Sequence, residues 1–278
     1  MLLGFFGLGN AQETIYHFAQ DPIDVVIPCT KKDLDTLELC IKGIRKNCRN
    51  VRRIIIISDS PLSQNAEWFD EKKFPFTMED AAFYLVGCDS VKAQEYLSSP
   101  QPRVGWYFQQ LLKLYAPFVI PGISSNVLHL DSDTVFLNPV SFVDESGAGL
   151  YNPGTEYHMP YFDHISKLVP GVTRIYPEHS GISHHMLLQR EPLQDLFSTV
   201  EATHNMELWK AFCLSVDSKD LYLSGAASDE LYFNFVFSKT NQVNLRMLKW
   251  ANISKIKEMS SYRKKGYHYV SCHSWMRS

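Results

Sequence analysis

The feature that most constrains this chain is a strand–helix–strand pattern compressed into residues 23–57. Ile23-Asp24-Val25-Val26-Ile27 reads as a short apolar strand closed by Pro28. From Asp33 to Asn47, Leu34, Leu37, Ile41 and Ile44 recur at spacings of three and four, which predicts an amphipathic helix starting near Thr30 or Asp33. Val51–Ile57 is a strand-sized, β-branched run with four consecutive isoleucines, as expected of a parallel sheet covered on both faces. Ser58-Asp59-Ser60-Pro61 then signals a turn. Two strands joined by one helix in so few residues imply a parallel pair with a right-handed crossover, hence an α/β fold.

The remaining elements are less regular. Ala82–Val86 reads as a third strand, and Gly105–Ala116 as a helix stopped by Pro117. Asn126–Leu130 is a strand running into Asp131-Ser132-Asp133, and Thr134–Leu137 is extended again. A strand is expected near Gly149–Asn152, helices near 158–168, 191–202 and 205–215, another helix from Ser228-Asp229-Glu230, and a last strand at Tyr267–Cys272. The expectation is a single domain over 22–278, after an N-terminal extension at 1–21. Its nucleotide-binding half covers about 22–140 and its acceptor half about 141–278.

Composition removes several alternatives. With 278 residues, 45% hydrophobic and 21% charged, the chain can bury a sizeable core, and disorder or coiled coil is disfavoured. Lys plus Arg number 27 and Asp plus Glu 30, a net charge of −3, which lacks the basic footprint of a nucleic-acid binder. Six scattered cysteines without a CxxC pair argue for buried, reduced thiols rather than a zinc ribbon or disulfide framework. Met1–Gly9 is apolar but has no basic flank, so a signal peptide is disfavoured although Gly9-Asn10-Ala11 resembles a cleavage site. No apolar stretch reaches spanning length, and the expected location is the cytoplasm, free or at a membrane surface.

The strongest chemical signal is the pair Asp131 and Asp133 where an apolar strand leaves the sheet. Ligands of open α/β sheets bind outside the carboxyl ends of strands. If the chain stays extended, residues i and i+2 point the same way, and two carboxylates converging there call for a cation between them. Oxygen ligands suit Mg²⁺ or Mn²⁺. The bland alternative is a turn in which one Asp caps the next segment. An Asp-nucleophile phosphatase motif is disfavoured, because Thr134 comes one residue too early and at least two strands precede the pair.

These residues carry a family resemblance. The opening Asp24-Val25-Val26-Ile27-Pro28, the βαβ unit and Asp131-Ser132-Asp133 resemble a glycosyltransferase of the GT-A fold. The helix Gly105-Trp106…Gln109-Gln110…Lys113 is similar to one found in a group of uncharacterised bacterial glycosyltransferase-like proteins. The resemblance covers roughly residues 22–275 and implies a GT-A-like (Rossmann-like) mixed sheet, mostly parallel and flanked by helices, with a helical C-terminal acceptor side. It implies a nucleotide-sugar donor, UDP-sugar first, and a glycan or other hydroxyl acceptor. Pro28, Cys29, Thr30, Lys32, Ser58 and Asp59 would cradle base and ribose. Asp131, Asp133 and His273 would hold the metal on the diphosphate, with Ser132 beside them. Gly181 would let the chain pass beneath the donor sugar, where His179 and His184 would meet hydroxyls.

Other residues carry two readings. Gln109 and Lys113 share a helix face, and a Lys on a helix apolar nearly all round needs a partner. Lys113 would then neutralise diphosphate charge; otherwise the pair is a solvated face. His273 is a third metal ligand or a capping histidine. Ser228 can cap the helix that Asp229 and Glu230 begin, and acids in a first turn favour the helix dipole. The resemblance offers one of the two acids as general base, Asp229 preferred. Two other functions compete with a metal-dependent glycosyltransferase. A sugar nucleotidyltransferase would want a Gly-rich phosphate loop where this chain has Pro28-Cys29-Thr30-Lys31-Lys32. A non-catalytic nucleotide- or carbohydrate-binding protein would not need Asp131, Asp133 and His273 together.

Overall fold

The computed structural model describes residues 13–277, so the segment Met1–Gly9 and the cleavage-like Gly9-Asn10-Ala11 lie outside the described residues. The described residues form ten strands, nine α-helices and four short 3-10 helices. The strands are β1 Ile23–Pro28, β2 Val51–Ser58, β3 Glu67–Asp70, β4 Asn126–Leu130, β5 Thr134–Phe136, β6 Leu150–Tyr151, β7 His185–Gln189, β8 Asn244–Leu245, β9 Trp250–Asn252 and β10 Tyr269–Ser271. The helices are α1 Leu34–Asn47, α2 Met78–Leu85, α3 Ser90–Leu97, α4 Val104–Val119, α5 Met159–Leu168, α6 Arg190–His204, α7 Leu208–Leu214, α8 Ser228–Lys239 and α9 Met259–Lys264.

The central sheet has the order β3-β2-β1-β4-β7. Its first four strands are parallel, and β7 runs antiparallel to β4. This is the mixed, mostly parallel α/β sheet flanked by helices that the sequence predicts. β1 is buried at every position, as the apolar run Ile23–Ile27 requires. From β1 the chain moves outward through β2 and β3, then returns to β4 on the other side of β1. The order therefore reverses between β1 and β4, and a crevice opens outside their carboxyl ends. A smaller sheet, β5-β10-β9, stands beyond that crevice, with β10 antiparallel to β5 and parallel to β9.

Three local expectations change. Ala82–Val86 is not a strand: Thr77 and Asp80 form a reciprocal capping box that starts α2, and the third strand is Glu67–Asp70. Pro117 does not stop α4, which runs on to Val119. A proline near a helix end removes only one N–H from the ladder, and its cost is small where the helix is about to close. β7, which completes the central sheet, follows the histidine cluster at 179–185 and was not expected as a strand. No helix of the described residues is long and apolar enough to cross a membrane. All six cysteines are free, and five are buried.

Candidate functional site

A cavity of about 610 Å³ opens at the carboxyl ends of the central strands. Asp131, Ser132 and Asp133 enter it from the end of β4, Gln109 and Lys113 from α4, Asp229 from the start of α8, His184 from the approach to β7, and His273 from beyond β10. The sequence places these residues far apart, and the fold brings them to one wall.

Asp131 and Asp133 do not lie on an extended strand. A turn follows β4, closed by the Thr134 N–H donating to the Asp131 carbonyl at 3.0 Å. The cause is topological: β5 leaves the central sheet to pair with β10, so the chain must bend between the two sheets. The carboxylates consequently take different partners. Lys113 Nζ donates to Asp131 Oδ1 at 3.1 Å, whereas His273 Nδ1 lies 2.9 Å from Asp133 Oδ2 and Ser271 Oγ donates to Asp133 Oδ1 at 3.0 Å. Among the described residues, no three His, Cys, Asp or Glu side chains converge as a ready-made metal centre.

Lys113 is the electrostatic hub. Its side chain is only 6% exposed, and Nζ also sits 4.0 Å from Asp229 Oδ2. Burial disfavours its charge, but Asp131 and Asp229 outweigh that and raise its pKa. Burial likewise pushes the Asp131 carboxyl up, yet Lys113, His184 and His129 hold it well below the usual carboxylate range. Asp229 follows the same pattern: burial opposes its charge, His129 and Lys113 favour it, and the result is a lowered pKa. His129 Nε2 lies 2.9 Å from Asp229 Oδ1, close enough for electrostatic attraction but not aligned as a hydrogen bond. For His273 burial works against protonation, and the Asp133 contact more than reverses it, so its pKa is raised.

The Trp-x-x-Gln-Gln-x-x-Lys pattern acquires a physical meaning. Trp106, Gln110 and Lys113 fall at i, i+4 and i+7, on one face of α4. Trp106 Nε1 donates to the Ala226 carbonyl at 2.8 Å, Gln110 Oε1 accepts from the Ser228 N–H at 3.0 Å, and Lys113 reaches Asp131 and Asp229. One helix face thus fixes the start of α8 relative to the end of β4. Ser228 is the first helical residue rather than the cap. Ala227 holds the cap position, and Ser228 Oγ lies 2.9 Å from both Gln110 Oε1 and Asp229 Oδ1.

The structure separates Asp229 from Glu230. Asp229 lines the cavity, whereas Glu230 points away and accepts from Ser180 Oγ, from the Gly181 N–H at 3.2 Å and from Asn234 Nδ2 at 2.7 Å. Burial raises the Glu230 pKa in spite of these donors. Gly181 also stands outside the cavity. A Cβ there would sit 2.5 Å from the Asp229 carbonyl oxygen, so glycine is required for the 180–182 segment to pack on α8. The residue with the comparable constraint on the cavity wall is Gly154, whose Cβ would meet the Ile182 carbonyl.

Pro28, Cys29 and Thr30 line an adjoining slot of about 260 Å³ with Met78, Phe108 and Leu112. Lys32, Trp106 and Gln109 line both this slot and the main cavity, so the two are continuous. Asp59 is exposed and lines neither, and His179 is likewise outside both. Sequence reasoning gave no site role to Asp33, Arg103, Trp106, His129 or Trp250, although Trp106 belongs to the helix motif it singled out. Of these His129 had a signal: an imidazole in the middle of an apolar strand needs a polar partner. His184 Nε2 and Gln110 Nε2 are buried beside the cavity without a hydrogen-bond partner, an arrangement that invites a ligand.

No protein-family model and no curated protein matches the sequence. Among solved structures, the chain is similar to the apo form of mouse xyloside xylosyltransferase 1, at 12% identity over 93% of this chain and 99% of that one, with a TM-score of 0.43.

Proposed function

We propose that the chain is a metal-assisted glycosyltransferase that moves a sugar from a nucleotide-diphosphate donor, UDP-sugar first, to an acceptor hydroxyl. The observation that carries this reading is the gathering of Asp131, Asp133, Lys113, Asp229 and His273 in one cavity at the reversal point of a mostly parallel sheet. The slot at Pro28, Thr30 and Lys32 takes the nucleoside, its apolar wall of Met78, Phe108 and Leu112 covering the base.

The residue types, two carboxylates and an imidazole, suit a hard divalent cation, and Asp131 and Asp133 would have to turn toward one point to hold it. Lys113 donates to Asp131 Oδ1, His184 Nδ1 lies 3.9 Å from its Oδ2, and Asp133 with the imidazole of His273 completes an oxygen-rich group. Asp131, Asp133 and His273 would hold Mn²⁺ or Mg²⁺. When bound, the ion offsets negative charge growing on the departing diphosphate. Lys113 adds a fixed positive charge from the buried side of the same wall. His184 and Gln109 present polar groups to the sugar. Asp229, ionised at neutral pH, faces the cavity and takes the proton of the attacking hydroxyl. Glu230 positions Asp229 by tying the 180–181 segment to α8.

The test is a thermal-shift panel of nucleotide sugars with and without Mn²⁺, repeated on Asp133→Ala. A donor-dependent rise in Tm that needs Mn²⁺ and disappears in the variant is expected. A variant that shifts like the parent protein removes the metal role.

A further inference from the structure

Two more depressions continue from the main cavity across the surface. One of about 400 Å³ lies between α5 and the 220–225 segment, and it shares Arg103 and Glu156 with the main cavity. Another of about 490 Å³ lies between α2, α3 and the end of α7, and it shares Tyr222 with the first. Each falls within the roughly 300–1,000 Å³ typical of small-molecule sites. Together they form a groove leading away from Asp229.

The chemistry of the groove is specific. Tyr222 is 53% exposed, yet its ring is set edge-on by buried Tyr96 at 5.2 Å. The segment carrying it is pinned from below: Tyr96 Oη donates to the Leu221 carbonyl, and Tyr107 Oη, which accepts from the Gly225 N–H, lies 3.0 Å from the Leu223 carbonyl. Tyr222 therefore presents its ring to the surface from a pinned backbone, with one edge held by Tyr96. Charge along the groove balances, with Arg103 and Glu156 lining one depression and Lys92 and Glu95 the other. A polyanion or a phosphorylated ligand would call for an excess of cations. An exposed aromatic ring among balanced polar groups suits a neutral carbohydrate, which has a C–H face to stack and hydroxyls at its rim.

We propose that the groove binds a neutral oligosaccharide acceptor, its reacting end at Asp229 and its further units on Tyr222. The proposal rests on the glycosyltransferase reading and adds the acceptor class to it. The experiment has two arms on the full chain. UDP-sugars with Mn²⁺, followed by thermal shift, test donor binding; absence of binding overturns both readings. Calorimetric titration of gluco-, xylo- and chito-oligosaccharides, from monosaccharide to pentasaccharide, with UDP and Mn²⁺ present, then tests the groove. In one series the affinity should rise with length by about tenfold, and Tyr222→Ala should remove that gain while Tyr222→Phe keeps most of it. The melting temperature of each variant reports folding. Donor binding without any length dependence, or a length dependence that survives Tyr222→Ala, overturns the groove alone.

Discussion

Asp24 and Asp131 sit at opposite ends of the central sheet, on neighbouring strands, and are solvated in opposite ways. Asp24 is fully buried at the amino end of β1. The fork of Arg52 donates to both of its oxygens, and the N–H groups of Arg53 and Ser124 complete the shell. At the carboxyl end, Asp131 and Asp229 share one buried lysine, Asp133 pairs with His273, and unpartnered polar atoms lie beside them. A bidentate guanidinium closes a site; a shared ammonium leaves unsatisfied charge and room. The first arrangement holds the fold, and the second leaves the polar atoms that the proposed metal and donor would use.

The comparison can be broken directly. Asp133→Ala should cut metal-dependent turnover by at least about 10³-fold while changing Tm little, the lost His273 and Ser271 contacts offsetting the relief of like charge. Asp24→Ala should do the reverse, lowering stability in urea by about 3 kcal/mol, since it strands Arg52 and two backbone N–H groups, with donor affinity intact. Within the carboxyl end, Asp229→Asn should slow turnover by about 10²-fold at constant donor affinity. Glu230→Gln should keep the rate within a few fold but cost about 1–2 kcal/mol, as one of its acceptor oxygens becomes a donor facing donors. Equal rates in these two variants would erase the distinction between them.

The smallest expected effect is on pH. The His273 pKa is raised by Asp133, so the pair contributes its stability below the ordinary imidazole value near 6.5 and loses it as pH rises through the higher folded-state value. From pH 6 to 9 the parent protein should therefore lose Tm relative to His273→Gln. Mn²⁺ affinity should climb over the same range as the imidazole gives up its proton. Flat profiles in both would separate His273 from the metal.

Much of this was legible in the sequence because it is local. The period of Leu34, Leu37, Ile41 and Ile44 and the β-branched run after Val51 each specify their own element, whereas the reversal of strand order came only with the structure. The Gln109–Lys113 spacing was readable as one helix face, but not that Trp106, Gln110 and Lys113 together hold the start of α8. Short apolar runs were ambiguous: Ala82–Val86 became helical because Thr77 and Asp80 cap it, and the strand at His185–Gln189 was hidden behind a histidine cluster.

The sequence by itself therefore determined the α/β class, the order of the first elements and the position of an acidic pair at a strand end, since each depends on neighbours within a turn or two. Only the tertiary structure decided that Asp131 and Asp133 turn apart, that Lys113 is shared between Asp131 and Asp229, and that Glu230 faces inward. Those outcomes depend on contacts between residues as distant as Asp133 and His273, 140 positions apart, whose meeting is set by how two sheets and α4 pack. Periodicity encodes which face of an element is buried; it does not encode which distant charge will be found there.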